Sequence, residues 1–257
     1  MIDPRAVVDP SARLAPDVRV GPFSVIGAEV GSGAGTWIGP HVVIRGPTRI
    51  GRDNRIFQFA SLGEMPQDKK YGGEPTRLDI GDRNTIREFV TINRGTVQDA
   101  GLTRLGDDNW IMAYVHIAHD CVVGDRTIFA NGASLAGHVR IEDDVVLGGF
   151  ALVYQFTRLG MHSFCGFACG VHRDVPPYVT VAGYRAEPYG INAEGLRRRD
   201  FSDEEIQAIR RAYKVIYRAN LRLEEAVEKV RDMAAEWPRL HILADFLAAP
   251  SRNGIVR

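Results

Sequence analysis

A six-residue period governs most of this sequence and leaves few folds open to it. Every sixth residue from Ile2 reads Ile2, Val8, Leu14, Val20, Ile26, Ser32, Ile38, Ile44, Ile50, Ile56 and Leu62. Glycine often follows, at Gly21, Gly27, Gly33, Gly39, Gly51 and Gly63. The register resumes at Ile80, Ile86 and Ile92, then shifts by one and runs from Leu105 through Ile111, Ile117, Val123, Phe129, Leu135, Ile141, Leu147, Val153, Leu159 and Cys165 to Val171. An α-helix repeats at 3.6 residues and a strand at 2, so neither alone produces a six. One short strand plus a corner does. The apolar residue points inward, and glycine is expected to permit the bend. Three such units close a triangular coil of 18 residues, and stacked coils make a parallel β-helix with about 4.8 Å between rungs.

Two segments interrupt the repeat. Residues 64–78 form a polar loop that preserves the phase, expected to replace two corner positions, and residues 93–103 separate the two registers. Loops on a rigid body commonly carry function. Beyond Val171 the prolines and glycines of DVPPYVTVAGYRAEPYG read as loop. From about residue 191 the texture is helical. Ser202 with Glu205 forms a capping box, and Phe201 with Ile206 a hydrophobic staple. Amphipathic segments follow at about 222–236 and 239–248. The expected organisation is a β-helix over 1–190 and a small α-helical domain over 191–257.

Composition removes several classes. Thirty-two basic residues balance 32 acidic ones, which argues against a nucleic-acid binder, since that requires a basic excess. No run approaches the roughly 18 apolar residues of a membrane span. The first residues lack the pattern of a signal peptide. Three cysteines, odd in number and fitting no zinc-ribbon spacing, suit a reducing, cytoplasmic location.

The 18-residue coil turns spacing into geometry. His119, Gly137 and Gln155 should form one column along an edge, with Asp120 and His138 beside it. Gly137 leaves room for the His119 ring and bares its own N–H. An imidazole facing an amide donor suits acyl transfer: the base takes a proton from the attacking group, and the amide stabilises the oxyanion. Asp120 could orient the ring, as an acid does in a triad. No Ser or Cys stands in the column, so direct attack by the acceptor is favoured over an acyl-enzyme. A zinc site built on His116, His119 and His138, as in hexapeptide-fold carbonic anhydrases, and a purely structural solenoid are the competing readings. Gln67, Asp68 and Lys70 lie on the first loop. Asn192 and Glu194 could read a base edge, and Arg197, Arg198 and Arg199 before the Ser202 cap suit a diphosphate.

The strings IGRDNRIFQFASLGE, QDKKYGGEPTRLDIGDRNTIRE, VTINRGTV, VHIAHDC, LAGHV, VPPYV and INAEGLRRRDFS, in this order over the whole chain, resemble the UDP-N-acetylglucosamine acyltransferase family, which opens lipid A biosynthesis. The resemblance implies a homotrimer of left-handed parallel β-helices with sites between subunits. It implies transfer of an R-3-hydroxyacyl chain from acyl carrier protein to the sugar 3-position of the UDP-sugar, without metal or organic cofactor. It makes His119 the general base, Asp120 its partner and Gly137 the oxyanion amide. Asp68 matches a sugar-binding position and Lys70 one near the acyl chain. Gln67, His116, His138 and Gln155 match further substrate contacts, and Asn192, Glu194, Arg198 and Arg199 the nucleotide set.

Three positions depart from the family pattern. Asn93 and Tyr154 replace histidines near the sugar and catalytic positions, which leaves open a sibling activity that forms an amide on a 3-amino UDP-sugar. A sibling acting on a later glucosamine intermediate carries an extra N-terminal domain; a repeat that begins at Ile2 disfavours it. Phe167 shares a column with Gly149 and Asn131, where the family measures chain length. A ring there should shorten the acyl groove, to about ten to twelve carbons by analogy.

Overall fold

The computed structural model describes residues 1–257. Short strands recur through residue 171 and wind into three parallel sheets, one for each face of a triangular prism. The first face begins at Val7–Val8 and ends at Gly170–Val171, the second runs from Arg13–Leu14 to Arg158–Leu159, and the third starts at Arg19–Val20. Consecutive strands along the chain therefore sit on different faces, and strands one coil apart pair in parallel. His116, Ser134 and Leu152 stand in register, as do Ile117, Leu135 and Val153.

The inward position of each strand is buried: Ile26, Ile44, Leu62, Ile92, Ile117 and Leu135 are all within one interior column. Each such side chain contributes about 2 kcal/mol by leaving water. That repeated gain fixes the register, because a slip by one residue would expose the whole column.

The periodic glycines do not make the bend. Only Gly63 among the six has a positive φ. The left-handed corner position is held by larger residues, including Phe23, His41, Asp120 (φ 59°), His138 (φ 63°) and Phe156 (φ 62°). The glycines answer to close approach between coils instead. A Cβ on Gly33 would lie 2.8 Å from the Gly51 carbonyl, and one on Gly51 would lie 2.6 Å from the Gly81 oxygen.

Both interruptions leave from the edge between the first and second faces. Leu62 pairs with Ile92, 30 positions on instead of 18. The first loop is thus a 12-residue insertion at a single corner, not a replacement of two. Twelve is two periods, so the phase survives. Ile80 pairs with Leu105, 25 positions on, so the second loop inserts seven and moves the register by one.

The stretch after residue 174 is not plain loop. Val179–Ala182 joins the third face, and Glu187–Ile191 pairs with it antiparallel. Four helices follow: α1 (Ala193–Arg197), α2 (Asp203–Arg218), α3 (Leu223–Glu236) and α4 (Leu240–Ala248). The Ser202–Glu205 capping box starts α2, as expected. Arg158 pairs with the buried Asp174 at 2.8 Å and also donates to the Phe246 carbonyl of α4, and the Tyr178 hydroxyl donates to the Arg239 carbonyl, fastening the helices to the last coils.

Candidate active site

One edge of the prism, between the first and second faces, carries most of the residues singled out above. The loops 64–78 and 93–103 leave from it, and His119, Gly137 and Gln155 follow on successive coils. A Cβ added to Gly137 would meet the His119 ring at 2.5 Å from Cε1 and 2.8 Å from Nε2. Glycine is required there because the imidazole occupies the space a side chain would fill. The Gly137 N–H makes no hydrogen bond within the chain. Its neighbours are committed: Ala136 donates to Val153 and His138 to the His119 carbonyl. The edge thus holds a free amide donor beneath an imidazole.

The ring is oriented from below. His119 Nδ1 lies 2.9 Å from Asp120 Oδ2, which leaves Nε2 as the free nitrogen. The Asp120 carboxylate also accepts from the Thr96 N–H (2.8 Å) and the Thr96 hydroxyl (2.6 Å), and the Asp120 N–H donates to Thr103 Oγ1. Burial alone would raise this carboxyl. The hydrogen bonds from His119 and Thr96 outweigh it and hold Asp120 below its ordinary value. His138 stands edge-on to His119, stacks on Phe156 and pairs with Asp99 at 3.1 Å. Cys121, next to Asp120, is interior. Burial pushes its thiol up to about 12, so it supplies no thiolate nucleophile.

Thr96, Asp99 and Thr103 were not singled out from the sequence. Their one signal is that the 93–103 loop breaks the register beside the future catalytic edge. The depressed Asp120 carboxyl gives a pH prediction. A group with a lowered folded pKa contributes stability above its unfolded pKa, about 4, and that contribution is lost as pH falls through the folded value. Asp120→Asn should therefore narrow the gap between urea midpoints at pH 7 and pH 3. It should also lower turnover by about tenfold or more, since the ring loses its orienting carboxylate. Wild-type pH dependence of stability in the variant would contradict the assignment.

His116 lies on the same strand, with Nδ1 2.7 Å from Thr91 Oγ1. Burial, then the neighbouring His119, lowers its pKa and favours the neutral ring. It does not complete the three-histidine zinc set. The ligand atoms that converge within 4.8 Å belong to His119, Asp120 and His138, and both Asp120 oxygens are already engaged. On the first loop Gln67 and Lys70 are exposed, and the Asp68 carboxylate caps a turn by accepting from the Lys70 N–H. Asn93 is buried. Its amide NH2 donates to the Glu64 and Met65 carbonyls and its Oδ1 has no partner. Gln155 is exposed one coil beyond Gly137, on the side away from His119.

Other candidates stand on other edges. Phe167 lies over Gly149 on the edge between the third and first faces, with its ring 3.3 Å from where a Gly149 Cβ would be. Asn192 caps α1 and also donates to the His162 carbonyl. Glu194 pairs with Arg198, and Arg199 with the buried Asp144 on the edge between the second and third faces. Within one chain this set does not meet His119.

A parallel β-helix that holds an oriented imidazole above a free main-chain N–H is built as a hexapeptide-repeat acyltransferase. A family model for bacterial transferase hexapeptide repeats matches residues 103–137, and one for domain 2 of UDP-N-acetylglucosamine O-acyltransferase matches residues 174–256. The chain is 60% identical to the acyl-[acyl-carrier-protein]–UDP-N-acetylglucosamine O-acyltransferase of Herminiimonas arsenicoxydans, covering 100% of this chain and 99% of that one. It belongs to this O-acyltransferase family. The solved UDP-N-acetylglucosamine acyltransferase of Francisella novicida superposes with a TM-score of 0.98 at 45% identity, over 100% of this chain and 94% of that one. The Acinetobacter baumannii structure gives 0.97 at 47%, over 100% and 99%. The fold is accordingly the left-handed β-helix of these relatives.

Proposed function

We propose that this protein transfers an R-3-hydroxyacyl group from acyl carrier protein to the 3-hydroxyl of UDP-N-acetylglucosamine, the opening step of lipid A biosynthesis. The His119 ring lying over Gly137 carries the proposal. His119 Nε2 takes the proton of the sugar hydroxyl as its oxygen bonds to the thioester carbon. The Gly137 N–H holds the resulting oxyanion. Collapse breaks the carbon–sulfur bond, and the imidazolium returns the proton to the departing thiolate. Asp120 steadies the imidazolium in between. The thioester is already activated, so the scheme needs no metal or organic cofactor.

The test is product analysis after incubation with acyl carrier protein loaded with graded hydroxyacyl chains. UDP-N-acetylglucosamine should gain one acyl group, released by mild base as an ester is. Modification only of a 3-amino analogue, giving a base-stable amide, would contradict the hydroxyl acceptor. The names of the relatives support the ester.

The proposal includes a homotrimer. A convex prism cannot turn three edges toward one ligand. Substrate contacts on the Asp144, Phe167 and His119 edges can meet only if neighbouring copies supply some of them. An exposed stack on the third-to-first edge supports such packing. Phe23, His41, Phe59, Phe89 and Tyr114 follow one another with ring centroids 4.8–5.3 Å apart, an apolar strip of the kind that marks an interface. Three unpaired cysteines support a cytoplasmic location, and no helix is long and apolar enough to cross a membrane.

Chain length is proposed to be set by Phe167, whose ring fills the space above Gly149. The enzyme should prefer about ten to twelve carbons, and Phe167→Gly should move the optimum to longer chains. Relative rates across the acyl series check this. A wild-type preference for fourteen or more carbons would remove the role.

A further inference from the structure

The second face carries charge in a regular pattern that the reaction scheme leaves unused. Its outward residues stand in register as Arg13, Gly31, Arg49, Asp79, Arg104, Val122, Arg140 and Arg158. Arginine recurs on every second coil from Arg13 to Arg140, with about 9.6 Å of main-chain rise between successive positions and about 29 Å in all. Arg13, Arg49, Arg104 and Arg140 are exposed, and none has a carboxylate within 4.0 Å. The next edge is built differently. There Arg83 is held by Asp108 at 2.8 Å and Arg126 by Asp143 and Asp144. Along this face Arg13, Arg49, Arg104 and Arg140 stand without a carboxylate partner, and Asp79, held by Arg77 at 3.5 Å, is the one acidic residue in the file. Two adjoining hollows of about 510 Å³ each open along it, lined by four arginines (Arg13, Arg49, Arg77 and Arg104) and by four acidic residues, of which Asp79 borders both. Val122, 40% exposed, sits between Arg104 and Arg140 as an apolar centre.

We infer that this face docks the acyl carrier protein. The inference rests on the functional reading above, which makes acyl carrier protein, an acidic partner by the family resemblance, the donor. Position supports it: Val122 follows His119 by three residues and Arg140 follows Gly137 by three, so the face begins where the catalytic edge ends. A carrier seated there delivers its thioester around one corner. Length supports it as well: a strip about 29 Å long exceeds a small ligand and suits a protein partner. Such a file also steers an acidic partner during encounter.

The test is the double variant Arg49→Ser/Arg104→Ser, with Arg231→Ser on the exposed side of α3 as control. KM for the acylated carrier should rise about tenfold while kcat stays within twofold. The wild-type fall in kcat/KM with added salt should flatten. A hydroxyacyl-pantetheine donor, which lacks the carrier, should be used equally well by all three proteins. An unchanged carrier KM, or equal loss with the small donor, overturns the proposal. So does loss of binding to anionic phosphatidylglycerol vesicles with carrier KM preserved, which would assign the face to a lipid surface. Calorimetric titration of the carrier without sugar keeps the two readings apart. If the wild type transfers nothing from the carrier, the functional reading fails. Docking then stands if the wild type binds the carrier and the double variant does not, and falls if the two behave alike.

Discussion

Replacing His119 by alanine should lower kcat on the order of 10²-fold or more, with little change in either KM. The ring sits on an edge outside the aliphatic interior, so its loss removes no rung of the core. Asp120 keeps both bonds from Thr96, so the buried carboxylate is not stranded and the fold should persist. The Cys121 thiol is buried and held protonated, so it cannot take over as the base. Steady-state rates at saturating donor and acceptor, with a melting curve on the same sample, check this. A folded His119→Ala protein of near wild-type activity would leave the proposed chemistry without its base.

Gly137→Ala should be nearly as damaging, although it adds a single methyl group. The new carbon would lie 2.5 Å from His119 Cε1, well inside van der Waals contact. The main chain of the coil is held by ladders on both sides, so the imidazole must move. Displacing a catalytic group by about 1 Å costs about 10²-fold in rate. The effect should fall on kcat, and the double variant His119→Ala/Gly137→Ala should be little worse than His119→Ala alone, because both changes remove one unit. Full additivity of the two losses would mean that Gly137 acts independently of the ring above it.

The coil was legible because its cause is local and repeated. An inward aliphatic every six residues has few physical explanations, and an 18-residue turn then places His119, Gly137 and Gln155 in one column. The same arithmetic aligns Arg104, Val122, Arg140 and Arg158, a pattern visible in the sequence once the turn is known. Other features were not local. Thr96 reaches Asp120 across 24 positions and Asp99 reaches His138 across 39, through loops whose paths no periodicity specifies. The glycines were misread because their constraint comes from the neighbouring coil and not from their own φ. The Val179–Ala182 and Glu187–Ile191 pair was hidden by its prolines and glycines, which punctuate the hairpin without preventing it. Asn192 looked free to meet a ligand, yet its amide is used to cap α1 and to hold the His162 carbonyl.

The most direct measurement of the central claim is a single-turnover experiment with enzyme in excess over hydroxyacyl carrier protein. Free carrier thiol, acylated sugar and the mass of the enzyme would be followed together. Direct transfer at the His119–Gly137 pair predicts that carrier is released only when the UDP-sugar is present, with the same rate constant as product formation and with the enzyme mass unchanged. Release of carrier ahead of acyl-sugar, with the acyl group found on the protein, would contradict it.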